Sequence, residues 1–288
     1  MITNIAITGA SGNLGSAISD YLMTQNQTVL EINSNMYRPC FDQKSVEIFL
    51  SKHKVNALIH CASMTNVDIC EEMPKLAYES NVELTRKISM VARGLGCKLV
   101  FISSSGVYSP NHMNLLSEES ITTPKTVYHK SKLEAEEAVL QIDESALILR
   151  VGWLFGGKSK NGKDFVKARA EELLKLNESD EYPSNSEQIG NPTSSYFVAK
   201  SIKNLLDANA HGIFNCVNTG SVSRYEFIKE IASALKIKRN IIPLSNDSFY
   251  RVADVPLNES CCHDKISRYI QEEGWDRYLV DYCKFLKS

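Results

Sequence analysis

The sequence has no excess of charge of either sign. Its 32 basic and 34 acidic side chains leave a formal net charge of −2, which removes any overall drive toward nucleic acid or an anionic membrane. No apolar run approaches the roughly 18 residues of a membrane span. Nor does a basic segment followed by an apolar one open the chain, because "MITNIAITGASG" goes straight into a strand. A cytoplasmic protein without a membrane or nucleic-acid partner is expected. C-x-x-C pairs are also missing. The eight cysteines stand at 40, 61, 70, 97, 216, 261, 262 and 283, and adjacent Cys261 and Cys262 lack a usual ligand spacing. No metal site or disulfide framework is expected, and the thiols read as reduced and largely structural. Internal repeats and low-complexity segments are absent too.

What is present is an ordinary globular composition, 43% hydrophobic and 23% charged over 288 residues, enough for one large or two modest domains. The first half alternates short apolar runs with helical patterns. "NIAITGA", "TVLEI", "VNALIHCA", "CKLVFISSS" and "SALILRVGW" read as strands. Between them, Leu14, Ile18, Tyr21 and Leu22, a helix near Ser45 to Lys52, and Leu84, Ile88, Val91 and Leu95 supply helical stripes. That order predicts an α/β fold, a Rossmann-type doubly wound parallel sheet. Residues 1–150 are assigned to an NAD(P)-binding domain, with 193–210 returning to it. Residues 151–192 and 211–288 are assigned to a smaller C-terminal substrate-binding domain.

"TGASGNLG" puts Gly9, Gly12 and Gly15 directly after the first strand and into a helix. Glycines there permit a tight turn and close approach of a pyrophosphate to free helix N–H groups. Asn13 and Leu14 fall in the same loop-to-helix segment. The second strand ends near Asn33, which carries neither the acid that holds a ribose hydroxyl nor a base for a 2′-phosphate. Arg38 is the nearby candidate for such a phosphate, and NAD and NADP both remain open.

In "TVYHKSKLEAEEAV", Tyr128 and Lys132 are four residues apart at the head of a predicted helix. They either decorate an exposed helix start or form one catalytic unit. With Ala135 and Val139 they share one face, which should point inward, while Glu134, Glu136 and Glu137 fall mostly on the other side. A lysine on a buried face is costly unless its charge is needed there. A free tyrosine has a pKa near 10, too high for efficient acid–base work, and a nearby ammonium should lower it. Ser104, in the serine run closing the fourth strand, offers a hydroxyl for a developing oxyanion.

These motifs resemble the extended short-chain dehydrogenase/reductases, and within them the dTDP-4-dehydrorhamnose reductase family. The more specific segments are "HCASMTNVDICE", "LRVGWLFG", "EQIGNPTS" and "GSVSRYEFIKEIA", in the family's order and spacing. The resemblance implies NADP(H) or NAD(H), a nucleotide-diphosphate sugar substrate, and reduction of a 4-keto-6-deoxyhexose. It implies Tyr128 as proton donor, Lys132 as its cationic partner and Ser104 in place of a family threonine. Ser104, Ser105 and Trp153 would face the sugar. Ser63, Met64, Thr65 and Cys40 would line the cofactor together with Tyr128 and Lys132, Lys132 at the nicotinamide ribose. A homodimer is compatible with this reading.

The chain departs from the family where Ser105 and Gly106 replace an Asp-Tyr pair, which alters the sugar-facing wall. Near Pro39 and Cys40 an acidic residue that would contact adenine is missing. Asp254 and Val255 stand where more basic residues would hold phosphates, although Arg251 and Asn258 survive. A dehydratase is disfavoured for want of an acid pair after Ser104. An epimerase, using the same Tyr, Lys and Ser, and a non-catalytic regulatory subunit, as in methionine adenosyltransferase, are the competing readings.

Overall fold

The computed structural model describes residues 2–37, 41–108, 114–158, 164–271 and 273–287. Arg38, Pro39 and Cys40 lie outside these residues. The chain alternates strand and helix as expected. β1 (Asn4–Thr8), α1 (Asn13–Thr24), β2 (Thr28–Glu31), α2 (Gln43–Lys52), β3 (Ala57–His60), α3 (Leu84–Gly94), β4 (Lys98–Ser104), α4 (Val127–Ile142) and β5 (Leu147–Val151) build the first half. α5 (Phe165–Lys175), α6 (Ser195–Asp207), β6 (Gly212–Cys216), α7 (Arg224–Leu235) and α8 (Trp275–Lys287) follow.

The six strands form one sheet in the order β6-β5-β4-β3-β1-β2, and every pairing is parallel. Side chains alternate across it. Ile5 and Ile7 pack with Ile18, Leu22, Phe197 and Ile202 of α1 and α6 on one face. Ala6 joins Val46, Leu50, Ile88, Val91 and Val139 of α2, α3 and α4 on the other. Each fully buried Ile or Leu contributes about 1.5–3 kcal/mol over an exposed one, so both helical layers are firmly held. The order reverses direction between β1 and β3, and in such sheets ligands bind at the carboxyl ends beside that reversal.

The helix after Thr193 packs on α1 as part of that first layer. Gly212–Cys216 differs from its expected place. It pairs with Leu147–Val151 and closes the large sheet rather than joining the smaller lobe. A separate apolar core of Phe155, Val166, Phe227, Ile231, Trp275 and Leu279 joins α5, α7 and α8. Short strands cross nearby, among them Ile189–Gly190, which pairs with Asn258–Glu259. Among the described residues no helix is long and apolar enough to cross a membrane.

Candidate active site

Gly9 takes φ +70°, and a Cβ there would lie 2.8 Å from the Ala62 backbone nitrogen. A Cβ on Gly15 would lie 2.3 Å from the Gly9 carbonyl oxygen. Both glycines are therefore demanded by close backbone approach. The Gly12 N–H donates to Gly9 O at 3.0 Å, and Gly12 is the N-cap of α1 without a side-chain cap. The N–H groups of Asn13, Leu14 and Gly15 thus open α1 with no intrahelical acceptor, a geometry suited to a pyrophosphate. The Leu14 side chain is in the core. The Asn13 side chain donates to Asp164 Oδ2 at 3.0 Å, so it braces the loop. Asp164 also accepts from Gly156 N–H and, as N-cap of α5, from Lys167 N–H, each at 2.9 Å. Asn33 is exposed after β2 and caps its own short turn by accepting from Asn35 N–H at 2.9 Å.

After β3, Ser63 and Met64 are half-buried and Thr65 is exposed. Ser63 Oγ and Met64 N–H both donate to Asn81 Oδ1, at 2.8 and 2.7 Å. Asn81 Nδ2 returns a bond to Met64 O at 3.1 Å and donates to Ser131 Oγ at 2.9 Å. Ser131 in turn donates to the Tyr128 carbonyl at 2.7 Å. Asn81 is fully buried on a π-helical turn, Glu79–Glu83, a distortion often found at functional sites. It joins the segment after β3 to the first turn of α4. Sequence reading missed it; the available signal was an asparagine inside an otherwise helical stretch.

α4 begins at Val127, with the Thr126 hydroxyl accepting from His129 N–H at 3.1 Å. Lys132, Ala135 and Val139 are buried, as the inward face predicts. Glu136 departs from expectation: it is buried too. Arg150 on β5 donates to it through Nε at 3.0 Å and Nη2 at 2.6 Å, and Ser103 Oγ donates to the same carboxylate. A buried arginine draws its counter-charge inward regardless of helix amphipathicity.

Tyr128 is half-buried at the start of this helix. Its acidity also departs from expectation. Burial holds the phenol above its usual pKa, and the Cys70 thiol and the Glu259 carboxylate push the same way. Lys132 is brought down to about 8 by burial, against the opposing pull of Glu136 and Cys61. Its Nζ sits 4.2 Å above the Phe101 ring, and among the described residues no hydrogen bond or ion pair engages it. Ser104 is half-buried at the end of β4, and its hydroxyl accepts a long bond, 3.3 Å, from Gly106 N–H.

Ser105 and Trp153 converge on a residue the sequence did not single out. Ser105 Oγ donates to Glu259 Oε2 at 3.2 Å, and Trp153 Nε1 donates to Glu259 Oε1 at 3.3 Å. Gly190 is needed for this fit, since a Cβ there would meet the indole at 2.5 Å. The Arg224 guanidinium lies 3.4 Å over the same indole. Arg224 lines a cavity of about 210 Å³ with Arg169, Arg251, Tyr182, Asn185 and Gln188. Burial brings Arg224 down to about 9; Glu259 opposes this, and Arg251 and Arg169 add to it. Arg251 and Arg169, the latter paired with Glu172, thus disfavour the charge on Arg224, and an anion in the cavity would relieve that. Arg169 and Arg224 come from α5 and α7, so positive charge reaches the site from helices outside the stretch around Asp254.

Comparison with known proteins follows the same lines. A model of the RmlD substrate binding domain matches residues 3–287. The spore coat polysaccharide biosynthesis protein SpsK of Bacillus subtilis (strain 168) is 27% identical over 285 residues, 98% of each chain. Methionine adenosyltransferase 2 subunit beta of Xenopus laevis is 28% identical, covering 80% of this chain and 72% of its own. The crystal structure of dTDP-4-dehydrorhamnose reductase from Bacillus anthracis in complex with NADP superposes with a TM-score of 0.90 at 27% identity, covering all of both chains. By fold, by site geometry and by a match that spans nearly its whole length, the chain belongs to the RmlD substrate binding domain family.

Proposed function

We propose that the chain reduces the 4-keto group of a nucleotide-diphosphate 4-keto-6-deoxy sugar with NADPH or NADH, Tyr128 donating the proton. The observation that carries this reading is Lys132, a buried ammonium without a hydrogen-bonding partner among the described residues, one helical turn from a tyrosine that stays protonated. The hydroxyls of a ribose would complete that ammonium. When bound, a reduced nicotinamide supplies hydride to the keto carbon. Tyr128 carries the proton for the oxygen, and its raised pKa keeps that proton in place across the neutral range. Ser104, at the carboxyl end of β4, can donate to the same oxygen as charge develops. The glycine loop and the Ser63–Thr65 segment would flank the cofactor, Ser105 and Trp153 the sugar, and the three-arginine cavity the diphosphate. In this assignment residues 1–150, the helix after Thr193 and the strand Gly212–Cys216 hold the cofactor, and the remainder holds the sugar.

The test is NADPH and NADH oxidation on addition of dTDP-4-keto-6-deoxy-L-mannose. Substrate-dependent turnover is the expected result, and none from a protein that binds the cofactor would reject this sugar. A second reading, a cofactor-binding regulatory subunit, is favoured by the likeness to the Xenopus laevis beta subunit and by the altered wall at Ser105–Gly106. Tight cofactor binding with no oxidation of any nucleotide-sugar ketone would select it. Conversion of a sugar without net cofactor consumption would select an epimerase.

Lys132→Met separates function from stability. A lysine whose folded pKa is lowered destabilises the fold below about pH 8, and that cost fades as pH rises toward its ordinary value of 10.5. Methionine fills similar space without charge. The expected outcome at pH 7 is a higher Tm, by about 2–4 °C for each kcal/mol recovered. Cofactor affinity should fall at least about tenfold, as for a lost charge-assisted hydrogen bond. Thermal melts and cofactor titration read the two effects separately.

A further inference from the structure

Among the described residues the fold buries two glutamates, both near the site, and treats them differently. Glu136 is neutralised by the bidentate Arg150 and by Ser103. Glu259 is 7% exposed and, among the described residues, its carboxylate receives only two bonds, both long and from neutral donors, Ser105 Oγ and Trp153 Nε1. Among the described residues no ammonium or guanidinium pairs with it; Arg224 lies on the indole face instead. A carboxylate offers about four lone-pair directions, so about half of its accepting capacity is unused. Burying such a group with neutral partners alone is costly, and a ligand that brings further donors would offset that cost. Its position suits a ligand at the proposed site: its charge reaches Tyr128, His129 and Arg224. It also stands at the altered wall, where Gly106 has no side chain and the His129 ring fills the space, 2.1 Å from where a Cβ would be.

We propose that Glu259 is a specificity-determining residue whose carboxylate accepts a hydrogen bond from a ring hydroxyl of the sugar, beside the carbon that Tyr128 serves. The proposal rests on the nucleotide-sugar reading above, but it does not require turnover. The carboxylate that faces the sugar then arrives on the strand Asn258–Glu259, while the end of β4 and the residue after it present only hydroxyls, those of Ser104 and Ser105.

The test is calorimetric binding in the presence of NADP, using a dTDP-6-deoxyhexose and its 2-deoxy and 3-deoxy analogues. Wild type is compared with Glu259→Ala and with the near-isosteric Glu259→Gln. Wild type is expected to lose about 10–100-fold in affinity for one of the two deoxy analogues, because the matching acceptor is left unsatisfied. Glu259→Ala should bind that analogue and the parent within about threefold of each other, its acceptor being gone. Should the alanine variant fail to fold, the glutamine variant carries the test, with discrimination reduced at least about fivefold by loss of the charge-assisted bond. Equal binding of all three ligands by wild type overturns the proposal, as does undiminished discrimination by the variants. Binding without turnover would sink the reductase reading and leave Glu259 tested on its own. No binding of any nucleotide sugar would overturn both.

Discussion

Tyr128→Phe is expected to fold, to bind cofactor within about threefold of wild type, and to lose about 10²–10⁴ in kcat, the usual range for removing one positioned acid. Phenylalanine keeps the ring beside His129, whose centroid is 5.1 Å away, and deletes only the hydroxyl. Because the carbonyl of residue 128 receives the Ser131 bond, the path through Asn81 survives the substitution. A pH profile sharpens the assignment. Reduction needs the protonated phenol, so activity should be present at neutral pH and lost as pH rises through the raised pKa of Tyr128. Glu259 is one cause of that elevation, after burial and Cys70. Glu259→Gln should therefore move the alkaline loss to lower pH, while a core change away from Tyr128, Cys70 and Glu259 should not. Retained turnover in Tyr128→Phe would remove the tyrosine from the chemistry.

The second large effect lies behind the site. Arg150→Met is expected to destabilise the protein by about 3–5 kcal/mol, because it leaves the Glu136 carboxylate buried without its cation. That is a large share of the roughly 5–15 kcal/mol that holds a typical domain together. Arg150 is held on both sides, by Glu136 and by the Tyr108 ring 4.7 Å away. The Tyr108 hydroxyl donates to Asn215 Oδ1 at 2.8 Å, which ties β6 into the same network. The double variant Arg150→Met with Glu136→Leu should recover most of the loss, since neither member of the buried ion pair then remains charged. Urea denaturation measures both; a single variant as stable as wild type would show that Glu136 finds another partner, Lys132 being the nearest cation on its own helix.

Much of this architecture was legible from local pattern. The alternation of "NIAIT", "ALIH" and "LVFISS" with helical stripes gave the parallel sheet, and the run of helix formers after Pro124 gave α4 from about Tyr128, one residue inside its observed start. The glycine loop was legible because φ and close approach are local demands. What could not be read depends on contacts between distant parts of the chain. Glu136 looked solvent-facing because nothing in its own helix announces Arg150 on the next strand. Gly212–Cys216 pairs with a strand more than sixty residues earlier and carries no mark of which sheet it joins. Glu259, Arg224 and Asn81 entered the site from three different elements, each as an ordinary polar residue in its own neighbourhood. The pKa of Tyr128 was misjudged for a related reason: the spacing to Lys132 and the inward face were visible, but Cys70 and Glu259, which add to the effect of burial from other elements, were not.

The wall made by Ser105, Trp153 and Glu259 limits how this protein can diverge. Its three members are held by one another although they are far apart in the chain. An aspartate at 105 would face Glu259 at the distance now spanned by a hydroxyl, so two like charges would share a buried space. A glutamate lost at 259, with serine kept at 105, would leave the indole N–H and the hydroxyl without their acceptor. Neither position is free to drift alone. A lineage moving between the two arrangements must pass through an intermediate with two carboxylates or with none. Such an intermediate is the natural place to look for relaxed sugar selectivity among reconstructed ancestors.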